Sequence, residues 1–497
     1  MLVPDISAQL SSILADLKYI GPEIWLSLLF LVVLITDLLF GRNSENLCRI
    51  VATAGILFVL FQDYKLVALL GGQGRLAFGR MLLETELSVI LRFIIDVGAF
   101  ILLLYFGWDE QLKSHPKKLS DLYSISIAAI FGLHLMTLAA NLLSIYLAIE
   151  MVSIASYLLV AYRSENAFTA EAGLKYVLFG AAASAVMLYG ISLLYGFTGS
   201  LGLFDANFMP GLLNINKAAA AFAVVLVLVG VGFKLSFVPI HFWVPDVYEG
   251  ASTPITAFLS TLPKVAGFGL LINILTPFII EPAWKTFNFG LFISVIGIIT
   301  MIAGNFAAVM QKNVKRLLAY SSIGHTGFAL MAIVTFNAEG IKALDFYLAV
   351  YMLANIGALM LVSYFTGITQ SEDIESYKGL GLKYPAASIA FVIILISLTG
   401  LPVSAGFSGK LFVFSAVYGA YTVNHNHWLL LLTITGAITT VVSLFYYIKI
   451  PLYLFLKRTE IAKPTPRPSN LLTAAIIIAV ALLALGIFPN WLGSFLS

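Results

Sequence analysis

Apolar segments of membrane-spanning length follow one another along almost the whole chain, with short polar connections between them. About 20 consecutive apolar residues cross the hydrocarbon core of a bilayer as an α-helix. The pattern predicts fourteen helices, of which the second is the shortest. Their predicted ranges are 21–40, 47–62, 88–107, 121–139, 141–162, 173–196, 218–240, 254–279, 287–308, 315–336, 342–366, 385–418, 427–450 and 470–491.

The composition agrees with this pattern, because 60% of the residues are hydrophobic and only 11% are charged. No segment shows the alternation typical of membrane β-strands, and lipid accommodates only helices or closed barrels. The predicted fold class is therefore an all-α polytopic membrane protein. The N-terminal region carries Asp5 but no basic segment or small-residue cleavage site, so the first apolar run is expected to be a mature helix.

Lysine and arginine are unevenly distributed between the two sets of connections. Loops after odd-numbered helices contain fifteen of them, whereas the opposite side, including the N-terminal tail, contains seven. Inner loops carry the excess of basic residues, so both termini are predicted to face outward.

Several kinds of site are excluded by composition. The net charge is only +3 and no basic cluster is interleaved with aromatic residues, so nucleic acid is not an expected partner. Cys48 is the single cysteine, which leaves no internal disulfide, no CxxC metal site and no ligand set for an iron–sulfur centre. We therefore expect no cofactor or metal on this chain.

Glycine and proline interrupt two apolar segments at comparable places, in GFKLSFVPIHFWVP (232–245) and TGLPVSAGFSGK (399–410), and each break contains a lysine. In transporters, interrupted helices lie near the midplane between inverted repeats. The prediction is one transmembrane domain, residues 1–497, with broken helices 7 and 12. Its parts are N-terminal helices 1–3 (1–120), two inverted five-helix repeats (121–279, helices 4–8, and 287–456, helices 9–13) and a C-terminal helix (470–491).

Charged residues inside the apolar segments are the candidates for function, because each costs at least about 3 kcal/mol to insert. Glu150 lies about ten residues from either end of its helix, too deep to reach water. Lys234 is its natural partner, and a carboxylate that approaches or withdraws would control whether this lysine keeps its proton. The alternatives are a carboxylate satisfied by nearby serines and a permanently locked ion pair.

Two further lysines extend this set. Lys264 lies about ten residues into helix 8, and Lys410 follows the second break, where it would form the end of a second half-channel. A hydrated relay lysine is predicted at both positions, against the alternative of a side chain that reaches the headgroups. Lys175 lies closer to a polar stretch, so snorkelling is a serious rival there.

Histidines can relay protons near neutral pH. His241 stands between Lys234 and Lys264 in sequence, and His325 falls about ten residues into helix 10, where it could bridge the two halves. A histidine that is merely hydrogen-bonded or packed is the alternative for both. Arg92 and Asp96, four residues apart on helix 3, are predicted to form an internal ion pair, and His134 receives no role.

Five segments carry a resemblance to a known family, the antiporter-like membrane subunits of respiratory complex I, and to its N type in particular. They are FKLSFVPIHFWVPDVYEGASTPITAFLSTLPKVAGFGLL (233–271), LAIEMVSIASYLLVAY (147–162), EAGLKYVLFGAAASAVMLYGISLLYGFTGS (171–200), VKRLLAYSSIGHTGF (314–328) and GLPVSAGFSGK (400–410). The L type carries a long lateral helix after its bundle, and the M type usually has Glu where Lys410 stands. Both differences favour the N type.

The resemblance implies fourteen helices in two inverted five-helix repeats, with helices 7 and 12 broken. It also implies proton-transfer roles for residues matching the family's helix 5, 6, 7, 8 and 12 positions: Glu150, Lys175, Lys234, Lys264 and Lys410.

The function that the resemblance implies is proton translocation within a NADH:quinone oxidoreductase translocase in a bacterial inner membrane, with both termini periplasmic. FMN, iron–sulfur clusters and quinone are then expected in partner subunits, with the M-type and K-type membrane subunits as neighbours. Two alternatives stay open: a subunit of a multi-subunit cation/proton antiporter, and a subunit of a ferredoxin-linked redox pump. A proton-inert scaffold in the same complex is a third.

Overall fold

The computed structural model describes residues 6–40, 44–70, 72, 74–115, 118–457 and 469–494. Asp5 and five of the fifteen basic loop residues used to predict the orientation lie outside these ranges: Arg42, Lys117, Arg458, Lys463 and Arg467.

Helices dominate the described part of the chain. Its elements in order are α1 Ile6–Asp16, α2 Gly21–Phe40, α3 Glu45–Leu70, β1 Arg75–Ala77, β2 Leu82–Glu84, α4 Glu86–Phe106, α5 Glu110–Lys113, α6 Ser120–Leu138, α7 Leu142–Val160, α8 Ala167–Thr198, α9 Phe208–Leu213, α10 Lys217–Leu235, α11 Trp243–Gly250, α12 Thr253–Ile280, α13 Phe289–Val309, α14 Val314–Ile333, α15 Ala338–Thr369, α16 Leu380–Lys383, α17 Pro385–Thr399, α18 Ala405–Asn424, α19 His427–Tyr447, α20 Lys449–Pro451, α21 Asn470–Ile487 and α22 Pro489–Gly493.

Within the described residues, twelve helices are long and apolar enough to cross a membrane, judged by length and composition. The all-α membrane fold class is therefore confirmed. The other two of the fourteen predicted helices correspond to α14 and to the α17–α18 pair, neither of which is among the twelve.

The second predicted helix, 47–62, is too short, because α3 continues to Leu70. The polar residues after position 62 do not end the helix, since Asp63 points inward and lies 3.4 Å from Arg92 Nε. A small antiparallel sheet follows, in which Arg75 pairs with Glu84. The connection that the sequence pattern treats as a loop therefore contains a hairpin.

Helices α12 and α15 form the centre of the bundle, because 94% of the apolar window of each is buried. They pack against each other and against α4 and α14. Helices α7, α8 and α10 lie on one side of this centre, and α13, α18 and α19 lie on the other. The candidate residues therefore belong to helices that surround one buried middle.

Both predicted helix breaks are confirmed. Helix α10 ends at Leu235, where Ser236 takes a left-handed backbone conformation with φ 62°, and α11 begins only at Trp243. Helix α17 ends at Thr399 with Gly400 at φ 82°, a conformation that glycine adopts without strain, and α18 begins at Ala405.

Candidate functional site

Lys234 and Glu150 are electrostatic neighbours in the buried part of the bundle. Lys234 is 3% exposed, and its Nζ has no hydrogen-bond partner in the part of the chain that is described. Glu150 is the charged neighbour that acts on this ammonium, and its Oε1 is also buried without a hydrogen-bond partner there. The two groups are therefore neighbours without a direct hydrogen bond, which is the arrangement that an adjustable pair needs.

Lys264 is held by three neutral oxygen acceptors. Its Nζ donates to the Ser322 carbonyl at 2.7 Å, to Ser322 Oγ at 2.6 Å and to Thr326 Oγ1 at 2.8 Å. A lysine ammonium has three donors, so all of them are satisfied although no carboxylate bonds to it. The Tyr351 hydroxyl lies 2.8 Å from Ser322 Oγ and 3.0 Å from the Ser260 carbonyl, which extends the network by one hydroxyl.

Thr326 joins this lysine to the first helix break. Its hydroxyl accepts from Lys264 and donates to the Leu235 carbonyl at 2.8 Å. That carbonyl belongs to the last residue of α10, whose free backbone oxygens need partners from outside the helix. The break beside Lys234 thus provides an acceptor that ties Lys264 to the same region.

Replacing Thr326 by Val tests this link, because Val keeps the shape of Thr but removes the hydroxyl. We expect proton translocation by the assembled complex to slow about tenfold, since a hydrogen bond to a charged group contributes about 1.5–3 kcal/mol. Thr326→Ser, which keeps the hydroxyl, is expected to retain most of the rate. Equal rates for the two variants would show that the link has no part in proton transfer.

His325 lies on the other side of Lys264 and is bound by two tyrosines. Its Nδ1 is 2.6 Å from the Tyr347 hydroxyl and its Nε2 is 3.2 Å from the Tyr447 hydroxyl. Lys264 and Lys410 are the two charged groups that act on the ring. The histidine is therefore within electrostatic reach of both lysines.

Lys410 donates from Nζ to the Thr399 carbonyl at 2.7 Å, the last residue of α17, and lies 5.2 Å from the centre of the Phe328 ring. A cavity of about 10 Å³ is lined by this lysine together with His325 and Tyr347. A polar cavity of roughly this size admits one water molecule. The second break thus repeats the arrangement of the first, with a terminal helix carbonyl bound by a polar side chain.

Two predicted residues lie apart from these buried groups. Lys175 is 38% exposed and pairs with Glu171 and Asp246, each at 2.9 Å. His241 lies in the turn between α10 and α11 beside Phe242, and in the described residues it bonds to neither Lys234 nor Lys264.

The hydroxyl groups of the network were missed by sequence reasoning. A pattern was nevertheless present, because residues four apart share one face of a helix. Ser322 and Thr326 are four apart on α14, and the same spacing places a row of polar residues on α15: Tyr347, Tyr351 and Asn355.

The predicted Arg92–Asp96 ion pair is wrong. Arg92 instead contacts Glu23 at 2.6 Å and Glu84 at 2.8 Å, because its forked donors reach carboxylates from other elements. His134, to which no role was given, lies between Glu23 and Asp96.

One group of side chains has the composition of a metal site. Potential ligand atoms of Asp63, Asp96 and His134 lie within 4.8 Å of one another. Both histidine nitrogens, however, face carboxylate oxygens, at 3.1 Å to Glu23 and 3.0 Å to Asp96. The Arg92 guanidinium also lies beside Asp63, so the donor set does not fit a metal cation.

Comparison with known proteins gives consistent matches. Residues 139–443 match the family described as NADH:quinone oxidoreductase/Mrp antiporter, TM. The NADH-quinone oxidoreductase subunit N of Chlorobium chlorochromatii is 37% identical over 462 residues, which cover 90% of this chain and 88% of that protein.

Solved structures agree with this match. A chain of respiratory complex I from Thermus thermophilus with bound aureothin superimposes with a TM-score of 0.77 at 29% identity, covering 96% of this chain and 99% of that one. A chain of the Mrp complex from Dietzia sp. reaches a TM-score of 0.79 and covers 97% of this chain and 96% of that one, at an identity of 18% that shows the fold alone.

Proposed function

Because the chain belongs to the NADH:quinone oxidoreductase/Mrp antiporter transmembrane family, we propose that it is the proton-translocating N subunit of a NADH:quinone oxidoreductase. The observation that carries this proposal is the Lys264 ammonium, which is buried among neutral oxygens with its bonds directed toward the first break. A buried lysine without a bonded carboxylate can release its proton and take it back with little rearrangement, because hydroxyls both donate and accept.

Proton transfer starts at the Glu150–Lys234 pair. When the carboxylate is near, it stabilises the charged form of Lys234, and when it withdraws, the buried ammonium is left without compensation and gives up its proton. Thr326 and the Leu235 carbonyl then provide the polar groups between this lysine and Lys264.

The second half of the path runs from Lys264 to Lys410. His325, with its two tyrosine hydroxyls, stands between these lysines and can hold a proton on either ring nitrogen. The charge on one lysine opposes protonation of the next group, so arrival of a proton at Lys264 favours release at Lys410.

A cavity supports the proposal that protons enter on the side of the basic loops. A cavity of about 570 Å³ is lined by Glu249, Lys315 and Glu372, among others. Lys175 lies at the same end of the molecule, because it pairs with Asp246, and Asp246 also binds Arg316 at 2.8 Å. We assign Lys175 to this ion-pair network at the entry, and His241 to the rim of the first break.

The energy for transport must come from other subunits. Moving one charge against a potential on the order of 150 mV costs about 3.5 kcal/mol. We propose that the FMN, iron–sulfur clusters and quinone site lie on partner subunits and that the M-type and K-type subunits lie beside this chain. We further propose that both termini face the periplasmic side of a bacterial inner membrane and that residues 121–279 and 287–456 are the two repeats.

Purification of the tagged protein tests this function against the antiporter alternative. We expect recovery in an assembly that contains flavin and iron–sulfur clusters and that acidifies the interior of inverted vesicles when NADH and quinone are supplied. Recovery only with small hydrophobic subunits, and transport driven by an ion gradient alone, would contradict the proposal.

A further inference from the structure

Six ionisable side chains meet in one buried cluster within the first part of the bundle, away from the lysines of the proposed path. They come from helices α2, α3, α4 and α6 and from strand β2, and each is at most 3% exposed. We name them the N-terminal ionisable cluster: Glu23, Asp63, Glu84, Arg92, Asp96 and His134.

The hydrogen bonds of Arg92 are committed to part of this cluster. Its two terminal nitrogens bind Glu23 at 2.6 Å and Glu84 at 2.8 Å, and its Nε donates to the Ser88 carbonyl at 3.3 Å. These are charge-assisted bonds with the fork geometry that guanidinium groups favour. Glu23 and Glu84 are therefore the two carboxylates whose charge Arg92 compensates most directly.

His134 makes two contacts with carboxylates of the cluster, and each contact contains one proton. Its Nδ1 lies 3.1 Å from Glu23 Oε1 and its Nε2 lies 3.0 Å from Asp96 Oδ1. Each contact between a ring nitrogen and a carboxylate oxygen requires one proton, whether it is carried by the ring or by the carboxyl group. The histidine is therefore bound either as an imidazolium or as a neutral ring beside a protonated acid.

Asp63 is the member of the cluster whose ionised form would lack stabilising partners. Neither of its oxygens accepts a hydrogen bond in the described part of the chain, although both are buried. Among the described residues its one ion pair is with Arg92 Nε at 3.4 Å, whose proton goes to the Ser88 carbonyl. With an ionised Asp63, four carboxylates would face one guanidinium and one imidazolium, which leaves two uncompensated negative charges in a buried site.

We propose that Asp63 carries a proton and that the N-terminal ionisable cluster is a second proton-binding site, separate from the lysine path. A carboxylic acid fits its surroundings better than a carboxylate does, because a buried ion needs hydrogen bonds that this site does not supply. Burial also raises the pKa of Glu84, on strand β2, to about 7. Interacting carboxyl groups titrate as a unit, so a change in the protonation of one member changes that of its neighbours.

Infrared difference spectroscopy on the assembled complex tests this inference. Spectra recorded in acidic and alkaline buffer are compared for the wild type and for Asp63→Asn, whose amide resembles a protonated carboxyl group in shape. We expect a C=O band of a protonated acid that shifts in D2O, disappears at alkaline pH and is absent from Asp63→Asn, which should assemble in wild-type amounts.

The matched control is Asp205→Asn, which removes a surface carboxylate that is 36% exposed and paired with Arg80, and it should leave that band unchanged. A wild-type spectrum without the band, or a band that persists in Asp63→Asn, overturns the inference. If Asp63→Asn and Asp63→Ser both fail to assemble, Asp63 must be ionised and the inference is wrong. Stoichiometric metal that is lost in Asp63→Asn would identify a cation site instead.

This inference does not depend on the proposed function. The cluster is bonded to none of the path lysines in the described residues, and its test measures protonation without measuring transport. Loss of pumping in the lysine variants together with a wild-type spectrum that lacks the Asp63 band would support the path alone. Normal pumping in those variants together with a band that Asp63→Asn removes would support the cluster alone.

Discussion

The complex carrying Lys264→Met is expected to assemble and to transfer electrons, while proton translocation through this subunit falls on the order of 100-fold. Met fills most of the space of the lysine stem but has no group that binds a proton, so the path is interrupted at its centre. Removal of a positioned proton-transfer group typically costs a factor of this size or more. The measurement is the proton-to-electron ratio of the purified complex in sealed proteoliposomes.

Two further variants separate proton transfer from charge and packing. Lys264→Arg keeps a positive charge that does not dissociate, so it is expected to lose translocation as well. Lys449→Met is the matched control, because the Lys449 ammonium likewise donates only to neutral oxygens among the described residues, the carbonyls of Val309 and Gln311, but lies outside the path. Wild-type ratios for Lys264→Met, or an equal loss for Lys449→Met, would remove Lys264 from the mechanism.

Replacing Arg92 by Met is expected to have the largest effect on stability. The guanidinium is fully buried and bonds to Glu23 and Glu84, so its loss leaves Glu84 without a cationic partner and Glu23 with His134 alone among the described residues. Breaking a buried ion pair from one side costs about 3–5 kcal/mol. We expect little assembled complex on native gels and a lower inactivation temperature for what remains.

Arg75→Met provides the comparison for this change. Arg75 pairs with Asp16 at 3.2 Å but is 43% exposed, so the pair is screened by solvent and its loss should change stability by less than about 1 kcal/mol. Assembly of Arg92→Met at the level of Arg75→Met would contradict the account of the buried cluster.

The helix breaks and their lysines were predictable because they are local features of the sequence. Proline and glycine within an apolar segment interrupt the helix whatever the segment packs against. A lysine side chain in such a segment either is buried in the protein or reaches toward the headgroups. Lys234 and Lys264 are 3% and 2% exposed, in agreement with that reasoning. For Lys175 the sequence also allows snorkelling, and its side chain lies half-exposed in a network of ion pairs.

The partners of these residues were not predictable, because they depend on how helices pack. Serine and threonine within a helix usually bond to the backbone of the preceding turn. Thr326 keeps such a contact, at 3.2 Å to the Ser322 carbonyl, but Ser322 and Thr326 also accept from Lys264, because α14 packs against α12. Only the fold reveals that one threonine connects a lysine of α12 to the end of α10.

Arg92 shows the same limit for charged residues. The spacing rule for helices predicts a pair with Asp96, yet that pair contributes only a few tenths of a kcal/mol on an isolated helix. Glu23 lies 69 residues away on α2 and Glu84 eight residues away on β2, and together they offer the guanidinium two bonds at once. Partners on other elements therefore replace the one on the same helix, and Asp96 becomes a partner of His134.

The central claim is that Lys234, Lys264 and Lys410 act in series on one proton path. Its most direct test is the proton-to-electron ratio of three single Lys→Met variants and of the triple variant, measured in the same proteoliposome assay. Groups that act as a unit give strongly non-additive losses. The account predicts that each single variant lowers the ratio by the same amount and that the triple variant lowers it no further. Losses that add from one lysine to the next, or a single variant with the wild-type ratio, would contradict a path in series.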